Sequence, residues 1–364
     1  MRNFILVLLA MTAAAIGGEQ RLYIAAGNAI EVHKIDAQSG KLSKEQTLEL
    51  DGAGPFTVSG DGKSVYVSAK HESGAGLATL ARGKDGSLSL EYNAEVNIRG
   101  GSLALDKTEN FIAGNHYGPG KVTIWKLEDG VYRGETIQEL TLEEKAHHVL
   151  FSADNRWLLV PATGPNKVFV NAFDAKTGKL TPADPPFASG PSGEDEAQQP
   201  RHIKWHPQLP IAYTTQERLE PGVGVWKWDN KNGKLDLVQN IVTKPEGFEG
   251  TTTTATLHLT PDNRFLYVSN RDVTDQKATK GTNSIVGFSV NAETGQLTKI
   301  GHTPCEHVPR SFCIDKSGRF VYVAGQGDGK LGVYAINNET GALTKVQQIE
   351  TGARPSWVEA HELW

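Results

Sequence analysis

LTPDNRFLYVSN, residues 259–270, joins a polar Pro-Asp-Asn turn to a run of aromatic and β-branched residues. That is the composition of a tight turn feeding a short strand. Close versions recur as IDKSGRFVYVAG at 314–325, VSGDGKSVYVSA at 58–69 and FSADNRWLLVPA at 151–162. A second pattern, a polar segment ending in a Gly turn, occurs seven times: SGKL at Gly40, DGSL at Gly86, DGVY at Gly130, TGKL at Gly178, NGKL at Gly233, TGQL at Gly295 and TGAL at Gly341. The successive glycines are 46, 44, 48, 55, 62 and 46 residues apart. Repeats of this length built from short strands indicate a propeller, whereas β-helix repeats are far shorter.

Each unit divides into four strands. In the fifth they read HIKWHP, IAYTTQE, GVGVWKWD and LDLVQNIV, here called A to D. No stretch carries a sustained helical period. After its first residues the chain reads RLYIAAG from Arg21, a B strand with no A before it. It ends on PSWVEAHELW from Pro355, an A strand with no B after it. The first blade is therefore expected to be completed by the last strand, which pairs two edges that would otherwise be free. The expected fold is all-β, a seven-bladed β-propeller with a three-plus-one closure, forming one domain over 18–364.

The opening MRNFILVLLAMTAAAIGG has the layout of a signal peptide: Arg2, an apolar run from Phe4 to Ile16, then Ala13, Ala15 and Gly17 as small residues for cleavage. Residues 1–17 are expected to be removed near Gly18 and the protein exported, periplasmic or secreted. Loss of Arg2 takes the formal charge from −5 to −6. No later segment is long and apolar enough for a membrane span. Charges of both signs are interspersed, with no basic stripe for nucleic acid. Export would permit a disulfide between Cys305 and Cys313, while the strand-like surroundings of Cys313 equally suit a small buried side chain.

Strand A lines a propeller's channel and B runs antiparallel to it, so the start of A and the end of B share one face. This rule gathers His147, Arg201, His202 and Arg310 from A strands at one mouth. From B strands it adds Asn115, His116, Glu217, Arg271 and Gln326. Three arginines, a carboxylate and imidazoles suit an anionic or carbonyl-bearing small molecule, because guanidinium offers paired planar donors to oxyanions. His147 and His148 are adjacent in a strand-like run and are expected on opposite sides, unable to share a metal. No metal or organic cofactor is expected. GGSLA around Ser102 lacks the strand-turn-helix setting of a nucleophile elbow. Tryptophans such as Trp205, Trp226 and Trp228 fall on strands and read as packing between blades.

The chain resembles the lactonase propellers that include bacterial 6-phosphogluconolactonases and fungal carboxy-cis,cis-muconate cyclases. AHHVLFSADNRWLLVP from Ala146, QPRHIKWHP from Gln199, LHLTPDNRFLYVSNR from Leu257 and VPRSFCIDKSGRFVYVAGQ from Val308 carry the resemblance. It implies a functional quartet of His147, Arg201, Glu217 and Arg271, while the strand-end rule leaves His202, Arg310, Asn115, His116 and Gln326 as further binding candidates. Lys145 and Ala146 replace the family's proline before the His, and Gln216, Glu217, Arg218 replace its Asn-Glu-Leu. Insertions at 272–283 and in the acidic 190–199 loop would overhang the mouth, so the substrate need not follow the family.

The resemblance implies a lactonase opening a sugar-acid lactone, or a cyclase forming one. The other class is a binding propeller that holds a lactone or organic anion without converting it, since fold alone does not decide activity. In the hydrolytic reading Arg201 and Arg271 bind the anionic end and stabilise the oxyanion, a donor there being worth roughly 3–4 kcal/mol. Glu217, aided by His147, activates water. Each residue also has a structural reading: Glu217 in an ordinary ion pair with Arg218 or Arg201, Arg201 and Arg271 paired with neighbouring carboxylates that hold blades together, and His147 as a hydrogen-bonded structural histidine.

Overall fold

The computed structural model describes residues 18–192, 198–274 and 283–364. Among these described residues, twenty-eight strands form seven four-stranded antiparallel sheets in ring order. Blade five consists of Pro200–Trp205, Ile211–Gln216, Gly222–Asp229 and Lys234–Val242. Its A strand thus starts two residues before the stretch read from sequence, and Glu217 lies one residue past the end of B. The inner strands are buried on both faces. Phe265–Asp272 is buried throughout, because each blade is covered by a neighbour on either side.

The seven recurring glycines have a shared structural cause. All lie at positive φ, between 67° and 86°, closing the C–D turn of each blade. Five receive a tyrosine hydroxyl from the B strand of the preceding blade on their carbonyl. Tyr23 donates to Gly86 at 2.8 Å, Tyr66 to Gly130 at 2.7 Å, Tyr213 to Gly295 at 2.8 Å, Tyr267 to Gly341 at 2.8 Å and Tyr322 to Gly40 at 3.0 Å. The turn packs so closely on the neighbouring aromatic that a Cβ at Gly341 would meet Phe265 at 2.6 Å. The repeat signature is therefore a docking point between blades as well as a turn.

Blade one is closed as the termini suggest. Pro355–Glu362 pairs antiparallel with Gln20–Ala26, from Gln20 opposite Glu362 to Ala26 opposite Pro355. Val358 and Ala360 are buried with Leu22, Ile24 and Tyr322 in the core between blades seven and one. Trp357, on the same strand, is half-buried, packing against the core between blades one and two and also lining a cavity described below. Cys305 and Cys313 are free thiols, and Cys313 is packed in that same core. Among the described residues no helix is long and apolar enough to cross a membrane. Residues 1–17 of the expected leader, and the middle of both insertions, at 193–197 and 275–282, lie outside the described residues.

Candidate active site

The A strand of blade five begins with a bulge between Pro200 and Ile203, just after Gln199 at φ 63°. Arg201, at the bulge, is only 1% exposed, and its Nη1 donates to the Ala255 carbonyl of blade six at 2.6 Å. The backbone N–H of Glu217 donates to the Gln199 carbonyl at 2.9 Å, fixing the carboxylate beside this strand start. Arg271, next to last in Phe265–Asp272, donates from Nη2 to Glu217 Oε1 at 2.6 Å and to the Thr254 carbonyl at 3.0 Å. Arg201 Nε stands 3.7 Å from the same oxygen. One carboxylate oxygen is thus shared by guanidiniums from two blades, and Oε2 has no protein partner among the described residues. Burial opposes ionisation of Glu217, but the charges of Arg201 and Arg271 outweigh it and hold the group below its ordinary pKa.

His147 precedes the short strand Leu150–Phe151, and its N–H donates to the Pro161 carbonyl at 2.8 Å. Its ring is edge-on to Tyr117 at 5.3 Å and lies 5.4 Å from the ring of His202. Burial, then the charges of Arg201, Arg310 and Arg271, push its pKa well below the ordinary histidine value. The imidazole is neutral at neutral pH, and its Nδ1 has no hydrogen-bond partner among the described residues. His148 is not turned to the opposite side, as alternation along a strand would have it. Its ring is 4.6 Å from His202, so both neighbours meet one imidazole. Alternation fails here because residues 147–149 do not form a strand. Even so, no group of three His, Cys, Asp or Glu among the described residues is arranged to hold a metal ion.

A cavity of about 220 Å³ opens at the starts of the A strands, with His147, Arg201, His202, Arg310, Arg99 and Trp357 on its walls. Arg310 is half-buried there, without a carboxylate within 4.0 Å among the described residues. Burial, and then the charge of Arg271, lower its pKa. Arg201 is the hinge of the site: it lines the cavity and also reaches Glu217, which with Arg271 stands beside the wall rather than on it. The charges of Arg201, Arg271 and Arg310 therefore meet one carboxylate, leaving an excess of positive charge for an anionic ligand.

A family model for lactonases of the seven-bladed β-propeller type matches residues 13–360. The chain belongs to this lactonase family. It is 30% identical over 345 residues to the 6-phosphogluconolactonase of Cronobacter sakazakii, covering 93% of this chain and 98% of that one. It is also 30% identical over 346 residues to the 6-phosphogluconolactonase of an Enterobacter species, with the same coverage. Among solved structures, the periplasmic gluconolactonase of Pseudomonas aeruginosa superposes with a TM-score of 0.85 at 24% identity, over 95% of this chain and 100% of that one. At that identity the superposition speaks for the fold.

Several other residues singled out from sequence are engaged within the lactonase propeller itself. Asn115 is fully buried, donating from its amide nitrogen to the Ala146 carbonyl at 2.7 Å and accepting from Ser102 Oγ at 2.7 Å, a tie between blades three and four. His116 uses both ring nitrogens, on the Arg99 carbonyl at 3.0 Å and Thr123 Oγ1 at 2.7 Å. His202 has Nδ1 on Thr256 Oγ1 at 3.1 Å while its ring lines the cavity. Gln326 is half-buried at the end of blade seven's B strand and is not among the cavity's lining residues. Two wall residues lay outside the sequence reading. Arg99 sits in the connection between blades two and three, which the strand-end rule does not cover. Trp357 both packs against the core between blades one and two and lines the cavity, as its place at the start of an A strand requires by that same rule.

Proposed function

We propose that this lactonase-family chain is an exported hydrolase that opens a sugar-acid lactone. The observation that carries this reading is the Glu217 carboxylate clamped by Arg201 and Arg271 next to a cavity holding neutral His147 and unpaired Arg310. About 220 Å³ suits one sugar ring rather than a longer saccharide. The names of the relatives, 6-phosphogluconolactonase and gluconolactonase, support the substrate class.

In the proposed reaction the lactone carbonyl oxygen faces Arg201 and Arg310, which stabilise the oxyanion that forms when water adds to the carbon. Glu217 Oε2 accepts the proton from that water, and His147, which lines the cavity, orients it. The tetrahedral intermediate then collapses with cleavage of the bond between the carbonyl carbon and the ring oxygen. The proton held by Glu217 passes to the departing alkoxide, giving the open-chain hydroxy acid and restoring the carboxylate. Hydrolysis of gluconolactones followed in a pH-stat, against the spontaneous rate with heat-killed protein, tests the reading. Saturable binding with no turnover of any lactone would instead make the chain a binding propeller.

The pH dependence follows from the two charge states. Glu217 must be ionised, and its pKa lies below the ordinary glutamate value. His147 must be neutral, and its pKa lies well below the ordinary histidine value. kcat/KM is therefore expected to stay flat through pH 6–7, with its acid limb below the usual histidine range. An inflexion near the ordinary imidazole pKa would count against a buried, arginine-flanked His147.

Export is part of the same proposal and rests on the apolar leader read from sequence. The native protein is expected to begin near Gly18. N-terminal sequencing that finds Met1 or Arg2 retained would remove export from the reading.

A further inference from the structure

The A strands that start at the arginine-rich mouth end at the other face of the propeller, and a second cavity opens there. It has a volume of about 360 Å³ and lies where blades five, six and seven meet. Arg201 and Lys204 occupy the same strand, Pro200–Trp205, three residues apart. Allowing for the bulge between Pro200 and Ile203, strand rise separates them by roughly 7–10 Å along the channel, one toward each mouth.

Three basic side chains line this lower cavity: Lys204, His258 and Lys316. Neither lysine ammonium has a carboxylate within 4.0 Å, and the imidazole of His258 makes no hydrogen bond among the described residues. The nearby carboxylates are committed elsewhere. Asp315 accepts the backbone N–H groups of Ser317, Arg319 and Phe320 at 3.1, 2.9 and 2.8 Å, holding its own turn. Glu359 takes Trp357 Nε1 at 2.8 Å and His361 Nε2 at 2.9 Å. Lys204 is half-buried, and burial pushes its pKa below the ordinary lysine value, with Glu359 opposing the shift and Lys316 adding to it. A partly desolvated ammonium without a partner gains most from an arriving anion, because the desolvation has already been met in folding. Trp205, Pro207, Leu259, Pro261 and Ile314 give the wall its apolar part, and Thr260, Asn263 and the turn-bound Asp315 complete it.

We infer that the lower mouth is a second binding site, separate from the lactone site, for a small organic anion. Its carboxylate or phosphate is held by Lys204 and Lys316 with a hydrogen bond from His258. Its apolar body lies on Trp205 and Ile314. The volume falls within the range of small-molecule pockets, and the mixed wall favours an organic anion over a bare inorganic one.

Phenyl phosphate, benzoate and inorganic phosphate, titrated calorimetrically into the full mature chain, test this. Phenyl phosphate and benzoate compare the two head groups, and inorganic phosphate reports what the apolar wall adds. At least one of the two aromatic anions is expected to bind saturably, at least tenfold more tightly than inorganic phosphate. Lys204→Met, which keeps the apolar stem, is expected to weaken that binding at least tenfold or to remove one of two binding events, while lactone hydrolysis is unchanged. If Lys204→Met fails to fold, Lys316→Glu at an exposed position serves instead, with at least fivefold weakening expected. Equal binding by wild type and the variant, or no binding of either aromatic anion at millimolar concentration, would overturn the inference.

Discussion

Removal of Pro355–Trp364 is expected to abolish the cooperative unfolding transition or to move its urea midpoint to a small fraction of the wild-type value. The strand supplies the inner edge of blade one through its ladder with Gln20–Ala26. It also buries Val358 and Ala360 between blades seven and one, and accepts Arg82 Nη2 on the Glu362 carbonyl at 2.7 Å. Burying a valine-sized side chain stabilises by about 1.5–3 kcal/mol. A ladder of hydrogen bonds contributes about 1 kcal/mol for each bond. Together these approach the whole stability of a typical domain, about 5–15 kcal/mol. The loss would spread around the ring, because blade one without its inner strand packs less completely on both blade two and blade seven. A synthetic peptide of residues 355–364 added to the truncated chain is expected to recover part of the transition. A truncated protein with an unchanged midpoint would show that the ring does not depend on this closure.

Glu217→Gln is expected to lower kcat for the best lactone by about 10²–10⁴-fold, the range for loss of a general base. KM should change little or fall, since the substitution keeps the shape and makes the site more positive. The structure adds an effect on stability. Arg201 is 1% exposed and Arg271 8% exposed, and the variant takes the counter-charge from both. Breaking a buried pair costs up to about 3–5 kcal/mol, and Gln should recover part of that by accepting from Arg271. Because the folded-state pKa of Glu217 is depressed, its contribution is present above the ordinary carboxylate pKa and is lost as pH falls through the lower, folded value. The stability gap between variant and wild type should therefore close in strong acid. Arg271→Ala should be at least as damaging to the fold, since Arg271 is enclosed rather than at a solvated rim and its loss strands the carboxylate. If Glu217→Gln turns over at the wild-type rate, Glu217 is a structural clamp and the base must be sought at His147.

The sequence by itself determined the propeller, the number of blades and the way the ring closes. These are local properties repeated many times. A Gly turn needs positive φ, a strand needs β-branched and aromatic residues, and a chain starting at B and ending at A can close only one way. The same regularity brought His147, Arg201, Glu217, Arg271 and Arg310 to one mouth, because the ends of strands in a blade have fixed faces. Tertiary structure decided which of those groups are free. Asn115 and His116 share that face, yet their polar atoms are taken up by Ala146, Ser102, Arg99 and Thr123, contacts between segments up to 31 residues apart. His148 turned toward His202 because its segment is not a strand, and Arg99 came to the wall on an irregular connection. The tyrosine bonds to the repeat glycines were equally hidden, since each joins two blades and neither half announces its partner. Strand periodicity fixes where a backbone goes. Whether a buried polar side chain is satisfied depends on neighbours that only the closed ring supplies.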